Sequence, residues 1–470
     1  MLTSVNTVVN YLKSVRHWRP ELLFIIGAAL ITRLWSLKTP NSIVFDEVYF
    51  KAFSAHYLDG HFSFDIHPPL GKLLLAGWAN LLGLPADALL NTPATSLRYL
   101  PALAGVLLIP CFWGILRRLG ASRPFAFLGA LGLLADNALI VESRFILMDS
   151  MLLLFGLGAL YWYLVARTST TAWRWLWLGL AAVSAGAAVS IKWTGLTALA
   201  LIGVVWLIDN RRQSKPARVI ILELAVGLLV PILIYMGSFW LHFQLMPFTG
   251  DGDAFMSTRF QSSLIGNASY APSKPLSFIE KFSDLNVEMY QANKTLTATH
   301  PYSSHWYTWP LEIRPIYYWQ GPLRDNGFQG NIYLLGNPIV WWGTLIAAGF
   351  GLVYARIKDR PLRPATKTAL WLTAGAYLIN FVPFMAVSRV MFLYHYFYSF
   401  VFSVAFVVLL WNDLADPQDE PSWPRRAALR IYFGLCALII LVFWFFAPLS
   451  YGTALSPQEL QSRMWLASWR

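Results

Sequence analysis

The sequence runs to 470 residues, of which 57% are hydrophobic and 13% charged, with a mean hydropathy of +0.50. Ordinary soluble domains carry roughly 25% charged residues, so this composition excludes a water-soluble globular protein and indicates a polytopic membrane protein. The net charge of +12 does not point to nucleic acid as a partner, because the basic residues cluster in short alternate connections between apolar runs.

Inside a bilayer every backbone N–H and C=O must be satisfied within its own segment, which selects helices, and the hydrocarbon core takes about 20 residues per span. In chain order the apolar runs predict about eleven spans, near residues 21–37, 97–116, 125–141, 146–166, 173–190, 193–208, 218–242, 336–355, 366–387, 394–411 and 430–448. Lys192 and Gly195 mark the division between the fifth and sixth. After His67, the apolar stretch up to Gly83 is too short to cross comfortably and reads as an interfacial helix in the first outer loop. Proline at its start presets helical φ, and Trp78 suits a membrane interface. The fold class is therefore an all-α polytopic membrane protein.

Basic clusters fall in alternate connections: Lys13, Arg16 and Arg19 precede the first span; Arg117, Arg118 and Arg123 follow the second; Arg167 and Arg174 the fourth; Arg211, Arg212, Lys215 and Arg218 the sixth; Arg356, Lys358, Arg360, Arg363 and Lys367 the eighth; and Arg425, Arg426 and Arg430 precede the eleventh. Eleven spans place every cluster on one side, which the positive-inside rule makes cytoplasmic. The first outer loop (38–96), the long loop 243–332 and the C-terminal tail then face the exoplasmic space. The chain divides into an N-terminal transmembrane region (1–242), the long loop (243–332) and a four-helix C-terminal region (333–470). The apolar stretch from Leu22 lacks a small-residue cleavage site, so the first span reads as an anchor. Cys111 and Cys436 both fall inside spans, which excludes a disulfide framework in the loops and leaves too few ligands for a cysteine metal site. No residue set calls for a cofactor, and a divalent-metal requirement is left open.

The chemistry gathers directly after the first span, in Phe45-Asp46-Glu47-Val48-Tyr49-Phe50 and His67-Pro68-Pro69-Leu70-Gly71-Lys72. Acidic side chains beside a bilayer are costly and mark functional sites. A carboxylate there can act as a general base where a lipid-linked substrate presents its headgroup, with nearby basic groups receiving a leaving phosphate. Arg98, Arg144, Lys192 and Arg389 sit toward the same side in the predicted topology, where an anionic headgroup needs cations. Glu142 is a further isolated charge, and Asp149 reads as structural, at the outer turn between the third and fourth spans. In the long loop, His300 and His305 lie five apart with no neighbouring carboxylate, a poor metal set. The aromatic density from Tyr302 to Trp309 and from Tyr317 to Trp319 suits sugar or peptide recognition, and equally an interfacial belt.

These segments, together with Ser143-Arg144-Phe145-Ile146-Leu147-Met148-Asp149, Lys192-Trp193-Thr194-Gly195-Leu196, His300-Pro301-Tyr302-Ser303-Ser304 and Tyr394-His395-Tyr396-Phe397, resemble in order those of the protein O-mannosyltransferases. The resemblance spans nearly the whole chain and implies a GT-C fold. It implies inverting transfer of mannose from a β-linked polyprenyl phosphate to a Ser or Thr hydroxyl of a translocated protein, at the exoplasmic face of what resembles a bacterial plasma membrane. On this resemblance Asp46 is the base, Glu47 its essential neighbour, and Arg98 contacts phosphate. Arg144, Lys192 and Arg389 join the phosphate side, while His67, Lys72, His300, Tyr302, Tyr394 and His395 contact substrate. The eukaryotic members carry a β-trefoil MIR domain in the large loop, which residues 243–332 do not resemble, so the architecture looks like a bacterial branch. Two other classes compete: a GT-C transferase acting on lipid A or a cell-wall glycan, and a non-enzymatic transporter, although no inverted repeat is evident.

Overall fold

The computed structural model describes residues 20–212, 215–357, 361–415 and 425–470. The basic positions Lys13, Arg16, Arg19, Lys358 and Arg360 lie outside them. Among the described residues, nine helices are long and apolar enough to cross a bilayer, from Thr95–Arg118 to Leu429–Tyr451, and their positions follow the apolar runs. A tenth candidate is a bent pair, and the Pro20–Leu34 helix stands where the first span is predicted.

The run 125–141 does not form one straight span. It breaks into Arg123–Leu134 and Asn137–Arg144, bent by 57°. The cause is Asp136, whose Oδ1 accepts from Leu139 N at 2.8 Å and so starts the second helix. Its Oδ2 accepts from Asn337 N at 3.0 Å and Trp341 Nε1 at 2.7 Å. An N-cap carboxylate competes with continuation of the preceding helix. The division at Lys192 is real: Thr171–Ile191 stops, Lys192 is extended (φ −146°, ψ 145°), and a 3₁₀ turn over Trp193–Gly195 leads into Leu196–Arg212. A Cβ at Gly195 would stand 2.3 Å from the Ala188 carbonyl carbon, so only glycine lets the chain fold back this closely.

The connections form a layer at one end of the bundle. Glu47–Asp59 is helical, and Leu70–Leu81 is the short apolar helix predicted between His67 and Gly83. The first and long loops zip together: Phe62 N donates to Phe248 O at 2.9 Å, and Phe248 N to Gly60 O at 3.0 Å. Against the all-α expectation, a small antiparallel sheet joins β1 (Ile316–Gln320), β2 (Gln329–Leu334) and β3 (Ala454–Leu455), in that order. Ile316 pairs with Leu334 and Gln320 with Asn331, with a bulge between Tyr317 and Trp319, and Gln329 pairs with Leu455. The sheet ties the long loop to the C-terminal tail, a pairing that spans more than a hundred residues and leaves no local signature.

At the opposite end, basic residues of the short connections meet acids: Arg123 and Glu21 at 2.6 Å, Arg167 and Asp209 at 2.7 Å, Arg174 and Lys215 with Glu223 at 2.5 and 2.9 Å, and Arg363 with Asp413. The two ends of the bundle thus differ, one made of short connections with basic residues paired to acids, the other of longer connections rich in aromatic residues with ion pairs of its own.

Candidate active site

Phe45 places the acidic pair. Its backbone is left-handed (φ 48°), costly for a bulky residue, and it is held there from three sides. Its N–H donates to Tyr318 O at 3.2 Å, and its ring stacks on Tyr318 at 4.2 Å. The edges of His300 and Phe392 close on it at 6.3 and 6.4 Å. Three distant segments therefore meet at the residue before Asp46.

Asp46 and Glu47 then part ways. Glu47 is fully buried and saturated: Oε1 accepts from Arg98 Nε at 2.7 Å and Ile146 N at 3.0 Å, and Oε2 from Arg98 Nη2 at 2.7 Å and Val44 N at 2.9 Å. Asp46 sits at the N-terminal boundary of the Glu47–Asp59 helix, yet its side chain makes no capping bond. Among the described residues no hydrogen bond or ion pair to its carboxylate is recorded, and it is half-buried. Burial pushes its pKa up to about 6; the Lys192 ammonium opposes that shift, while Asp149 and Asp65 add to it. A carboxylate with free oxygens and a pKa just below neutrality is suited to taking a proton.

The four expected phosphate cations are not equivalent. Arg98 cannot reach a ligand, because all five donors are spent: besides Glu47, Nη1 donates to Leu37 O and Pro40 O at 3.3 and 2.8 Å, and Nη2 to Ser42 O at 2.8 Å. Its guanidinium also lies over the Phe145 ring at 4.9 Å. Expected as a phosphate contact, Arg98 is here a clasp that folds residues 37–47 around one buried charge. Arg144 is held by backbone carbonyls but, unlike Arg98, keeps donors unspent, its buried Nε having no partner among the described residues. Its Nη1 donates to Arg33 O and Trp35 O at 3.0 and 2.8 Å, its Nη2 to Ser36 O at 3.2 Å, and it rests on Tyr451. It satisfies carbonyls left open at the end of the Pro20–Leu34 helix.

Lys192 and Arg389 remain. Lys192 Nζ pairs with Asp149 at 2.5 Å and sits over the Tyr394 ring at 5.3 Å. No hydrogen bond or ion pair is recorded for Arg389 among the described residues, and it is half-buried; its charge is felt by His67, His395 and Tyr394. Burial, and then the charges of Lys192, Lys72 and Arg389, hold the His67 imidazole well below its usual pKa and so neutral. Lys72 is buried, pairs with Asp65 and donates to His67 O at 2.7 Å. It orders the His-Pro-Pro turn and has little reach beyond it.

The remaining aromatic residues build a wall. His300 Nδ1 accepts from Tyr302 N at 3.2 Å, and the Tyr302 ring faces the Arg314 guanidinium at 5.4 Å. Tyr394 stacks on Phe392 and His395, and His395 lies parallel to Trp309 with centroids 5.8 Å apart. His395 Nδ1 is engaged by the Phe392 backbone. Two participants went unassigned in the sequence. Tyr318 stacks under Phe45 and donates to Glu142 Oε2 at 2.7 Å, and Glu142 lies within hydrogen-bonding reach of Asp149. The single-charge signal at Glu142 was visible, but its partner on a strand of the long loop was not. Among the described residues no three His, Cys, Asp or Glu side chains converge so as to hold a metal ion.

The comparisons with known proteins concern the family and the fold. Residues 23–246 match the dolichyl-phosphate-mannose-protein mannosyltransferase family, and residues 278–469 match the C-terminal four-transmembrane region of protein O-mannosyltransferases. Protein O-mannosyltransferase 1 of Drosophila pseudoobscura pseudoobscura is 37% identical over 274 residues, 53% of this chain and 30% of that protein. Dolichyl-phosphate-mannose--protein mannosyltransferase 4 of Candida albicans is 31% identical over 352 residues, 69% of this chain and 44% of that protein. The chain thus spans less than half the length of these relatives. Its fold is similar to that in the S. cerevisiae Pmt1-Pmt2 complex bound to the sugar donor, with a TM-score of 0.87 at 20% identity, covering 96% of this chain and 92% of that one. With both halves of the sequence matched and the fold shared, the chain belongs to the protein O-mannosyltransferase family.

Proposed function

We propose that this chain transfers mannose from a polyprenyl-phosphate-mannose donor to Ser or Thr hydroxyls of translocated proteins, with inversion at the anomeric carbon. The observation that carries the reading is the contrast at Asp46 and Glu47: one carboxylate is spent on the fold, and the other has no hydrogen-bond partner among the described residues and feels the charge of the Lys192 ammonium. In the transfer, the acceptor oxygen forms a bond to the anomeric carbon as the bond to the donor phosphate breaks. Asp46 takes the hydroxyl proton, and the bonding pair leaves with the polyprenyl phosphate. Arg389 and Lys192, whose charges are both felt at His67 and His395, offer charge to that phosphate. Glu47 and Arg98 hold the Asp46 loop, and His67, His300, Tyr302 and Tyr394 line the space for sugar and acceptor.

In this reading residues 1–242 carry the base and the cation Lys192, the loop 243–332 supplies the aromatic wall, and 333–470 contribute Arg389. The site then faces the exoplasmic side of a plasma membrane of bacterial type, with membrane lipids around the bundle. Purified protein in liposomes, given synthetic polyprenyl-phosphate mannose and a Ser/Thr peptide, should yield mannosylated peptide by mass spectrometry. Donor consumed with the peptide unmodified, or no consumption by folded protein, overturns the assignment.

A further inference from the structure

The Phe278–Thr295 helix in the long loop buries Leu285 and Met289. It packs Phe278 and Phe282 on Tyr235, Phe239 and Phe243 of the Ala217–Leu245 helix, with centroids 5.1 to 6.2 Å apart. Another flank carries Ile279, Val287 and Tyr290, which remain 58%, 50% and 55% exposed. Helical spacing brings these three near one another, with Ser283 and Asn286 between them.

The depth of this helix follows from its partner. Ala217–Leu245 has 29 residues, about 43 Å at 1.5 Å per residue, longer than a hydrocarbon core of ~30 Å. Arg218 marks its basic end, so the chain leaves the hydrocarbon about 20 residues later, close to Phe239. Leu229, Leu233 and Trp240 are exposed along it, an apolar face suited to lipid. Phe282 meets Tyr235 and Phe239 at that boundary. This packing sets the loop helix at the level where a span counted from Arg218 leaves the hydrocarbon, with its apolar flank exposed.

We propose that Phe278–Thr295 is an interfacial membrane-contact helix whose Ile279, Val287 and Tyr290 seat in the leaflet on the Asp46 side. The exposed Lys274 and Lys294 at its two ends reach the headgroups. The seating is connected to the site. Tyr235 OH donates to Asn286 Oδ1 at 2.5 Å and accepts from Trp193 Nε1 at 2.9 Å, and Trp193 follows Lys192 at the helix break. The occupant is the bilayer itself, and the proposal does not depend on the identity of the transferred sugar.

Single cysteines at Ile279, Val287 and Tyr290, in a Cys111→Ala/Cys436→Ala background, can be labelled with an environment-sensitive fluorophore in phosphatidylcholine proteoliposomes. Controls at Glu288 and Asp325 report the water-facing flank and the hairpin tip. Lipids brominated near the headgroup should quench the three test positions at least about twofold more than the controls. Equal quenching at all five overturns the proposal. Quenching that arises only after polyprenyl phosphate is added also overturns it, and assigns the flank to a donor chain. A labelled variant that loses its elution position in detergent is replaced by Ser283→Cys on the same flank, which carries the same expectation.

Discussion

The Glu47–Arg98 node and the Asp46–Arg389 face are neighbours in the same outer layer, yet their hydrogen-bonding accounts are opposite. At the node every carboxylate oxygen and every guanidinium donor is used, and both residues are fully buried. At the face the Asp46 carboxylate and the Arg389 guanidinium make no hydrogen bond or ion pair among the described residues. A saturated buried pair positions a loop and has nothing left for a substrate. Half-buried charges without partners cost free energy in the resting protein, and that cost is offset when a ligand supplies the missing partners. Charge type and proximity to the membrane do not tell these two groups apart, whereas spent and unspent donors and acceptors do.

The sharpest break in this comparison is Asp46→Asn. It should lower transfer by about 10²- to 10⁴-fold, the usual range for a general base. The thermal midpoint at pH 7 should not fall, because the ionised carboxylate is a burden to the fold. Comparable turnover, or a collapse in stability, would place Asp46 with the scaffold. The opposite signature is expected at the node. Glu47→Gln or Arg98→Ala leaves one buried charge uncompensated and should cost about 3–5 kcal/mol of stability, read as loss of folded protein in detergent-based thermal shift. Arg98→Ala with wild-type stability and reduced donor affinity would return Arg98 to the phosphate.

Arg389→Ala should weaken donor binding by roughly 10- to 100-fold, the equivalent of one or two charge-assisted hydrogen bonds, without lowering stability. Lysine should rescue only in part, since it lacks the planar fork. The smallest effect is that of pH. Transfer should be level above pH 7 and decline toward tenfold per unit below about 6, as Asp46 takes up a proton. The linked stability runs the other way. A carboxyl with a raised native pKa contributes stability at pH values below its unfolded pKa, and that contribution is lost as pH rises through about 6. The stability advantage of Asp46→Asn at neutral pH should therefore disappear toward pH 4, and a constant advantage across that window would break the assignment.

Much of the fold was legible in the chain because bilayer physics leaves little choice. Apolar runs of bilayer length become helices, basic connections gather at one end, and Lys192 with Gly195 announces a break. The bend at Asp136 was not legible, since an apolar run does not reveal that its one carboxylate will cap a new helix against Asn337 and Trp341. The sheet escaped notice because its strands are short and β3 lies more than a hundred residues from its partner.

The chain by itself marked Asp46, Glu47 and the cations as the place where chemistry belongs, because charge beside a membrane must have a use. It could not divide the labour among them. Which carboxylate is free and which guanidinium is spent depends on the carbonyls of Leu37, Pro40 and Ser42 and the amides of Val44 and Ile146. Those backbone groups look alike in any sequence. Only when tertiary packing brings them around Glu47 and Arg98 is that pair withdrawn into the scaffold, leaving Asp46 and Arg389 without hydrogen-bond partners among the described residues.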